Sequence, residues 1–145
     1  MSAELNNVPE KLMRLFNRYP DVTAEELARV YANSVVFEDP VVRLTGLDKV
    51  SNYFRKMYRG VISCEFNYRD VVACEQQAAI SWTMNLRHQA LKHGKPVVVR
   101  GCSVIRFDSK VYYHRDYFDM AEMVYANVPL LGWAIRQLRN RLRSQ

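Results

Sequence analysis

The chain has 145 residues, 49% of them apolar and 25% charged, which predicts one compact core, with residues 1–145 forming a single domain. No window approaches the roughly eighteen uninterrupted apolar residues of a membrane span, and the opening MSAELNNVPE lacks the basic start and apolar run of a secretory signal, so a cytoplasmic location is expected. The net charge of +6 owes much to Arg136, Arg139, Arg141 and Arg143; it predicts a solvated basic helix face, with weak contact to an anionic membrane surface as the alternative and no specific nucleic-acid partner.

From about Pro9 to Tyr19, residues Leu12, Leu15, Phe16 and Tyr19 recur at helical spacing and predict a first amphipathic helix. TAEELARVYANS follows as a second helix. Its Thr23 and Glu26 form a capping box in which the hydroxyl serves an orphan amide and the glutamate reaches back. VVFEDP reads as a short strand stopped by Pro40, and TGLDKVSNYFRKMYRG as a third helix with Thr45 as N-cap and Gly60 as its stop.

Beyond Gly60 the hydrophobic period changes to two. Residues 62–72 place Ile62, Cys64, Phe66, Tyr68 and Val72 on one face, and AAISWTMNLRH does the same for Ala78, Ile80, Trp82, Met84 and Leu86. KHGKP reads as a turn. VVVRGCSVIRF then sets Val97, Val99, Gly101, Ser103, Ile105 and Phe107 on one side, with Gly101 a candidate bend. In the last strand, VYYHRDYFDM, alternation turns Tyr112, His114, Asp116 and Phe118 one way, and Tyr113, Arg115 and Tyr117 the other. A terminal helix runs from Val128, so residues 121–145 read as an arginine-rich helical extension.

Helices first and strands after them predict an α+β fold, with helices over one face of a curled sheet that encloses a hollow. The carboxylate Asp116 and the imidazole of His114 would face that hollow among aromatic rings, where an unpaired charge costs several kcal/mol unless it is in use. Their Cα atoms lie about 7 Å apart at ~3.4 Å per residue, a distance that suits sharing a substrate or water better than direct bonding. Asp39 before Pro40 is either a turn aspartate or a base at the pocket edge, with Arg43 as a possible ion partner. Cys64, Cys74 and Cys102 form no C-x-x-C pair, and His88, His93 and His114 have no zinc spacing; free thiols and no metal are expected. No glycine-rich phosphate loop or nucleophile elbow calls for a cofactor.

The element order, with FEDP after the second helix, TG before the third and HRDYFD in the last strand, resembles the nuclear transport factor 2-like superfamily over roughly residues 9–120. That resemblance implies a cone-shaped, cystatin-like roll: a curved, mixed sheet wrapped around N-terminal helices, here with an extra C-terminal helix. In the ketosteroid isomerase branch the aspartate before proline is the catalytic base, which maps to Asp39, while the tyrosine and protonated acid of its oxyanion hole map to Leu15 and Ser103. The limonene epoxide hydrolase branch has a WRDYFD run whose first aspartate maps to Asp116. Its arginine and second aspartate map to Trp82 and Met84, and its water-holding asparagine and tyrosine to Asp39 and Phe37. Polyketide cyclases of the SnoaL-like type resemble the chain in placing an aspartate and a histidine in one hollow.

Together these imply Asp39, His114 and Asp116 as catalytic groups. The implied walls of a substrate pocket are Leu15, Phe37, Tyr53 and Phe54, then Trp82, Met84 and Ser103 from the middle strands, and Tyr112 and Phe118 from the last. The expected activity is cofactor-free acid–base chemistry on an apolar small molecule: an isomerase, a cyclase, or a hydratase of epoxide hydrolase type. The alternative is a non-catalytic ligand-binding or dimeric interaction module on the same fold, homodimeric through the outer sheet face.

Overall fold

A computed structural model describes residues 7–124, 127 and 129–144; Val128, the predicted start of the terminal helix, lies outside them. The first two helices are α1 (Val8–Phe16) and α2 (Ala24–Val30). Thr23 Oγ1 accepts from the Glu26 amide (3.2 Å) while Glu26 Oε2 accepts from the Thr23 amide (2.9 Å), completing the predicted box. The second helix stops four residues early. Tyr31 begins strand β1 (Tyr31–Glu38), because its buried ring and its pairing with Val111 override the local helical pattern.

A short strand β2 (Arg43–Thr45), absent from the sequence prediction, precedes α3 (Leu47–Met57). Thr45 pairs with Val36 in the ladder, so the N-cap falls instead to Gly46, whose φ of 101° suits glycine. The helix is capped at Tyr58, and Gly60, at φ 80°, turns the chain into the sheet. Four long strands follow: β3 (Val61–Cys74), β4 (Gln77–His88), β5 (Val97–Phe107) and β6 (Val111–Phe118). The chain ends in α4 (Met120–Met123) and α5 (Pro129–Arg143).

The six strands form one curved, unclosed sheet in the order β2-β1-β6-β5-β4-β3. All neighbours are antiparallel except β1 and β6, which run parallel. Leu12 and Leu15 of α1, Leu27 of α2 and Phe54 of α3 are buried against Ile80, Ile105 and Phe107 of the sheet. Each such side chain stabilises the fold by roughly 1.5–3 kcal/mol through apolar area removed from water. A second buried cluster of Trp82, Met84, Leu86, Val97 and Val99 lies towards the other end of the strands. The α+β architecture with helices covering the inner face of a curved sheet is therefore as expected.

Strand parity holds on β4 and β5 but fails where a bulge inserts a residue. On β3 the register slips between Val61 and Ser63 and again between Tyr68 and Val71. Ile62 and Val72, predicted inward, consequently face solvent, and Val61 packs inward instead. On β6 the register slips opposite Arg106 and Phe107, leaving Tyr112 as the extra residue. Val111 and His114 both face the core across it, and Tyr112 is exposed, so it is no pocket wall. Gly101 carries no bulge: the ladder runs through it without a slip, opposite Trp82 on one side and Phe118 on the other. Its missing Cβ makes room for the Trp82 indole, since a Cβ there would lie 2.3 Å from Cη2.

Candidate functional site

Between the two buried clusters the sheet and helices leave a hollow of about 270 Å³. Phe54 and Tyr53 of α3 form one wall, Trp82 and Met84 of β4 the opposite one, and Phe118 and Asp116 the side towards β6. Asp39 lies at its edge. Sequence periodicity did not reveal the remaining walls: Phe16, Tyr58, Phe66, His88 and Met123 also border the hollow. Leu15, Phe37 and Ser103 do not. Ser103 is buried between Trp82 and Asp116, to which it is hydrogen-bonded. Leu15 and Phe37 are buried in the helix–sheet core, and Phe37 stands behind the site with its ring against those of Phe54 (5.0 Å) and His114 (5.1 Å).

The polar groups form a chain of hydrogen bonds ending on one carboxylate oxygen. Trp82 Nε1 donates to Ser103 Oγ (2.9 Å), and Ser103 Oγ donates to Asp116 Oδ1 (2.5 Å). From the other side, His114 Nε2 meets the same Oδ1 at 2.6 Å, and His114 Nδ1 meets Tyr31 Oη at 2.6 Å. An indole nitrogen only donates, so the serine accepts from it and keeps its proton for Asp116. A carboxylate only accepts, so the Nε2 of His114 that meets Asp116 carries a hydrogen; in the neutral imidazole Nδ1 then accepts a hydrogen bond from the Tyr31 hydroxyl. Burial, and then the negative charge of Asp116, hold the Tyr31 phenol well above its ordinary pKa, which keeps this proton in place.

Direct bonding between His114 and Asp116 corrects the expectation that they are too far apart. Side chains on one strand face lean towards each other, and an imidazole and a carboxylate together span the Cα separation. His114 is only 1% exposed and does not border the hollow. Beside it is a gap of about 20 Å³, roughly the room one water needs. Asp116 is the member that reaches outward: its side chain is 20% exposed, and its Oδ2 has no hydrogen-bond partner among the described residues.

Asp39 is organised differently. Oδ1 accepts from the amides of Val41 (2.7 Å) and Val42 (2.9 Å), closing the turn that Pro40 enters, while Oδ2 accepts from Tyr53 Oη (2.5 Å). Burial, followed by this bond and the Asp39 charge, raises the Tyr53 phenol above its usual range. Arg43 does not reach Asp39. It pairs with Glu38, which Arg115 also contacts at 3.4 Å. Among the described residues no cluster of histidine, cysteine and carboxylate side chains could hold a metal. Burial pushes the Cys64 thiol at the hollow's wall up to about 11.

A family profile described as a SnoaL-like domain matches residues 10–114. The chain belongs to the SnoaL-like family. Solved SnoaL-like and related structures share its fold. A nuclear transport factor 2-like protein of unknown function from Burkholderia pseudomallei is 15% identical, with 83% of this chain and 95% of that one covered at a TM-score of 0.73. An epoxide hydrolase of limonene epoxide hydrolase type from Mycobacterium tuberculosis is 20% identical over 83% of this chain and 82% of that one, TM-score 0.67. A candidate SnoaL-like polyketide cyclase from Jannaschia is 13% identical over 84% and 92%, TM-score 0.73. At these identities the likeness is one of fold. No curated protein matches the sequence.

Two expected outcomes follow from the buried SnoaL-like network. Tyr31→Phe leaves His114 Nδ1 buried without a donor and should cost about 1–3 kcal/mol, read as a lower urea midpoint at unchanged slope. Tyr19, Tyr31, Tyr53, Tyr58 and Tyr68 all have phenols raised by burial. In the unfolded chain they ionise near pH ~10. Above that pH the native state retains protons the unfolded state has released. Their contribution to stability is therefore intact below pH ~10 and declines as pH rises, with a slope of about 1.4 kcal/mol per pH unit for the fully buried Tyr31 alone. Urea unfolding series on either side of that pH measure the slope; a flat profile would mean the phenols titrate freely.

Proposed function

We propose that this SnoaL-like chain binds an apolar small molecule in the hollow and moves a proton on it through Asp116, without a cofactor. One observation carries the proposal: Asp116 Oδ1 is fixed by Ser103 and His114, while Oδ2 has no partner among the described residues and the side chain borders an apolar hollow. A carboxylate held in this way is oriented before substrate arrives and has an oxygen free to take a proton. Tyr53 borders the same hollow with its phenol kept protonated; its one hydroxyl proton goes to Asp39 in the empty site, so a substrate oxygen would be stabilised by it only on taking that hydrogen bond from Asp39 as charge develops. Asp39 and His114 then act as positioning residues for Tyr53 and Asp116.

Solved folds of this shape include proteins named as an epoxide hydrolase and as a candidate polyketide cyclase. Trp82 and Met84 stand where the epoxide hydrolase pattern has an arginine and a second aspartate, so β4 supplies no acid to protonate an epoxide oxygen. Isomerisation or cyclisation through an enolate fits these residues better. The test is to incubate the protein with a panel of apolar β,γ-unsaturated ketones and β-diketones in D₂O and follow loss of the C–H signal by NMR. Catalysed exchange with at least one member supports the proposal. Saturable shifts of hollow residues without exchange on any member favour the second reading, a non-catalytic binding module, for which the fully satisfied oxygens of Asp39 speak.

A further inference from the structure

The helix α5 is built unlike the rest of the molecule. Over Pro129–Arg143 it has four arginines and no acidic residue. At 100° per residue, Leu131, Ala134, Ile135, Leu138 and Leu142 fall within an arc of roughly 100°, bordered by Arg141 on one side and Arg139 on the other. This is the stripe that normally turns inward. Here it does not: Leu131, Leu138 and Leu142 are 44%, 59% and 67% exposed. The helix meets the body along a neighbouring edge, where Gly132 is buried, Ile135 is half-buried, and Arg139 Nη2 lies 3.4 Å from Asp119 Oδ2. Trp133 is also exposed but lies off the leucine stripe.

We infer that α5 docks on an anionic lipid surface, its leucine stripe in the headgroup–acyl boundary and its arginines on the phosphates. An amphipathic helix with cationic residues beside the apolar stripe can bury the leucines while long arginine side chains reach out to the phosphates. Charge decides against a second copy: two such stripes face to face would gather arginines from both helices with no acid on either to pair them. Location supplies a use. Asp119, which holds Arg139, borders a surface cleft that shares Asp39, Asp116 and Phe118 with the hollow, and Met123 and Val124 just before α5 line the hollow itself. Docking would bring that edge of the hollow near the lipid phase, from which an apolar ligand partitions. The docking itself stands on the helix alone and does not depend on proton transfer at Asp116.

The full chain is to be co-sedimented with vesicles of phosphatidylcholine alone and of phosphatidylcholine mixed with phosphatidylglycerol, at low and high salt. Binding is expected with the anionic vesicles and is expected to fall with salt. Arg141→Gln, on the border of the stripe away from the Asp119 contact, should lower partitioning about fivefold. Leu138→Ser with Leu142→Ser should also weaken it, each variant melting as the parent does because all three side chains are exposed. No binding, equal binding to neutral vesicles, or an arginine variant that binds unchanged would overturn the inference. So would a concentration-dependent dimer, seen by light scattering and abolished by the leucine changes in a protein that ignores vesicles; that result would assign the stripe to a second copy.

Discussion

Asp116→Asn is expected to slow deuterium exchange into a responsive ketone by about 10²–10⁴-fold, the usual contribution of a positioned general base. Asparagine has nearly the same volume, and its carbonyl oxygen can still accept from Ser103 and His114 at the Oδ1 position. The amide nitrogen then occupies the place of Oδ2, facing the hollow, where it can donate but cannot take a proton. Stability should fall by only about 1–2 kcal/mol, the loss of charge assistance in two hydrogen bonds. Exchange rate and urea midpoint measured on one preparation separate the two effects. Asp39→Asn is the control: it disturbs a turn and the Tyr53 contact but leaves the Asp116 oxygen in place, so its rate should remain well above that of Asp116→Asn. Exchange that persisted in Asp116→Asn and vanished in Asp39→Asn would return the base to Asp39.

The largest structural effect belongs to Gly101→Ala, expected to destabilise by about 2–4 kcal/mol, from forced repacking and a broken buried hydrogen bond. The added Cβ would sit 2.3–2.8 Å from three atoms of the Trp82 six-membered ring, and the clash is with a ring packed on both sides. Phe66 meets the indole edge-on at 5.3 Å, and Phe118 lies 6.3 Å from it, so the indole has nowhere to tilt without moving them. Displacing it also breaks Trp82 Nε1–Ser103, the outer support of Asp116. A melting temperature lowered by roughly 8–15 °C is the readout. The double variant Gly101→Ala, Trp82→Phe tests the cause: the smaller ring relieves the clash, so the two losses should be strongly sub-additive. Additive losses would mean that Gly101 matters for its backbone and not for the indole.

Asp116→Asn and Gly101→Ala probe residues of different legibility. Asp116 is identifiable because an acid on an otherwise apolar-leaning strand face is costly, and because HRDYFD resembles a known run; the room that Gly101 makes for the Trp82 indole has no sequence signal, since a mid-strand glycine looks the same whether it bends a strand or accommodates a ring. Tyr31 left no usable signal. It sat within a helical apolar stripe, and its partner His114 is 83 residues away. His114 itself was found as a residue but misplaced in depth, because parity says which face a side chain takes and not whether a neighbour covers it.

From the sequence by itself one can derive the helices-then-strands order, the capping box at Thr23, the buried faces of β4 and β5, and the presence of His114 and Asp116 on one face. These are local properties: each depends on hydrophobic period or on side chains a few residues apart. The tertiary structure decided where bulges reset parity, which put Tyr112, Ile62 and Val72 outside, and where the second helix yields to β1. It also decided that Asp39 is saturated while Asp116 keeps an oxygen free. Such outcomes are set by contacts between strands distant in the chain, where one inserted residue or one added donor changes what a side chain faces, and no pattern within a single segment encodes them.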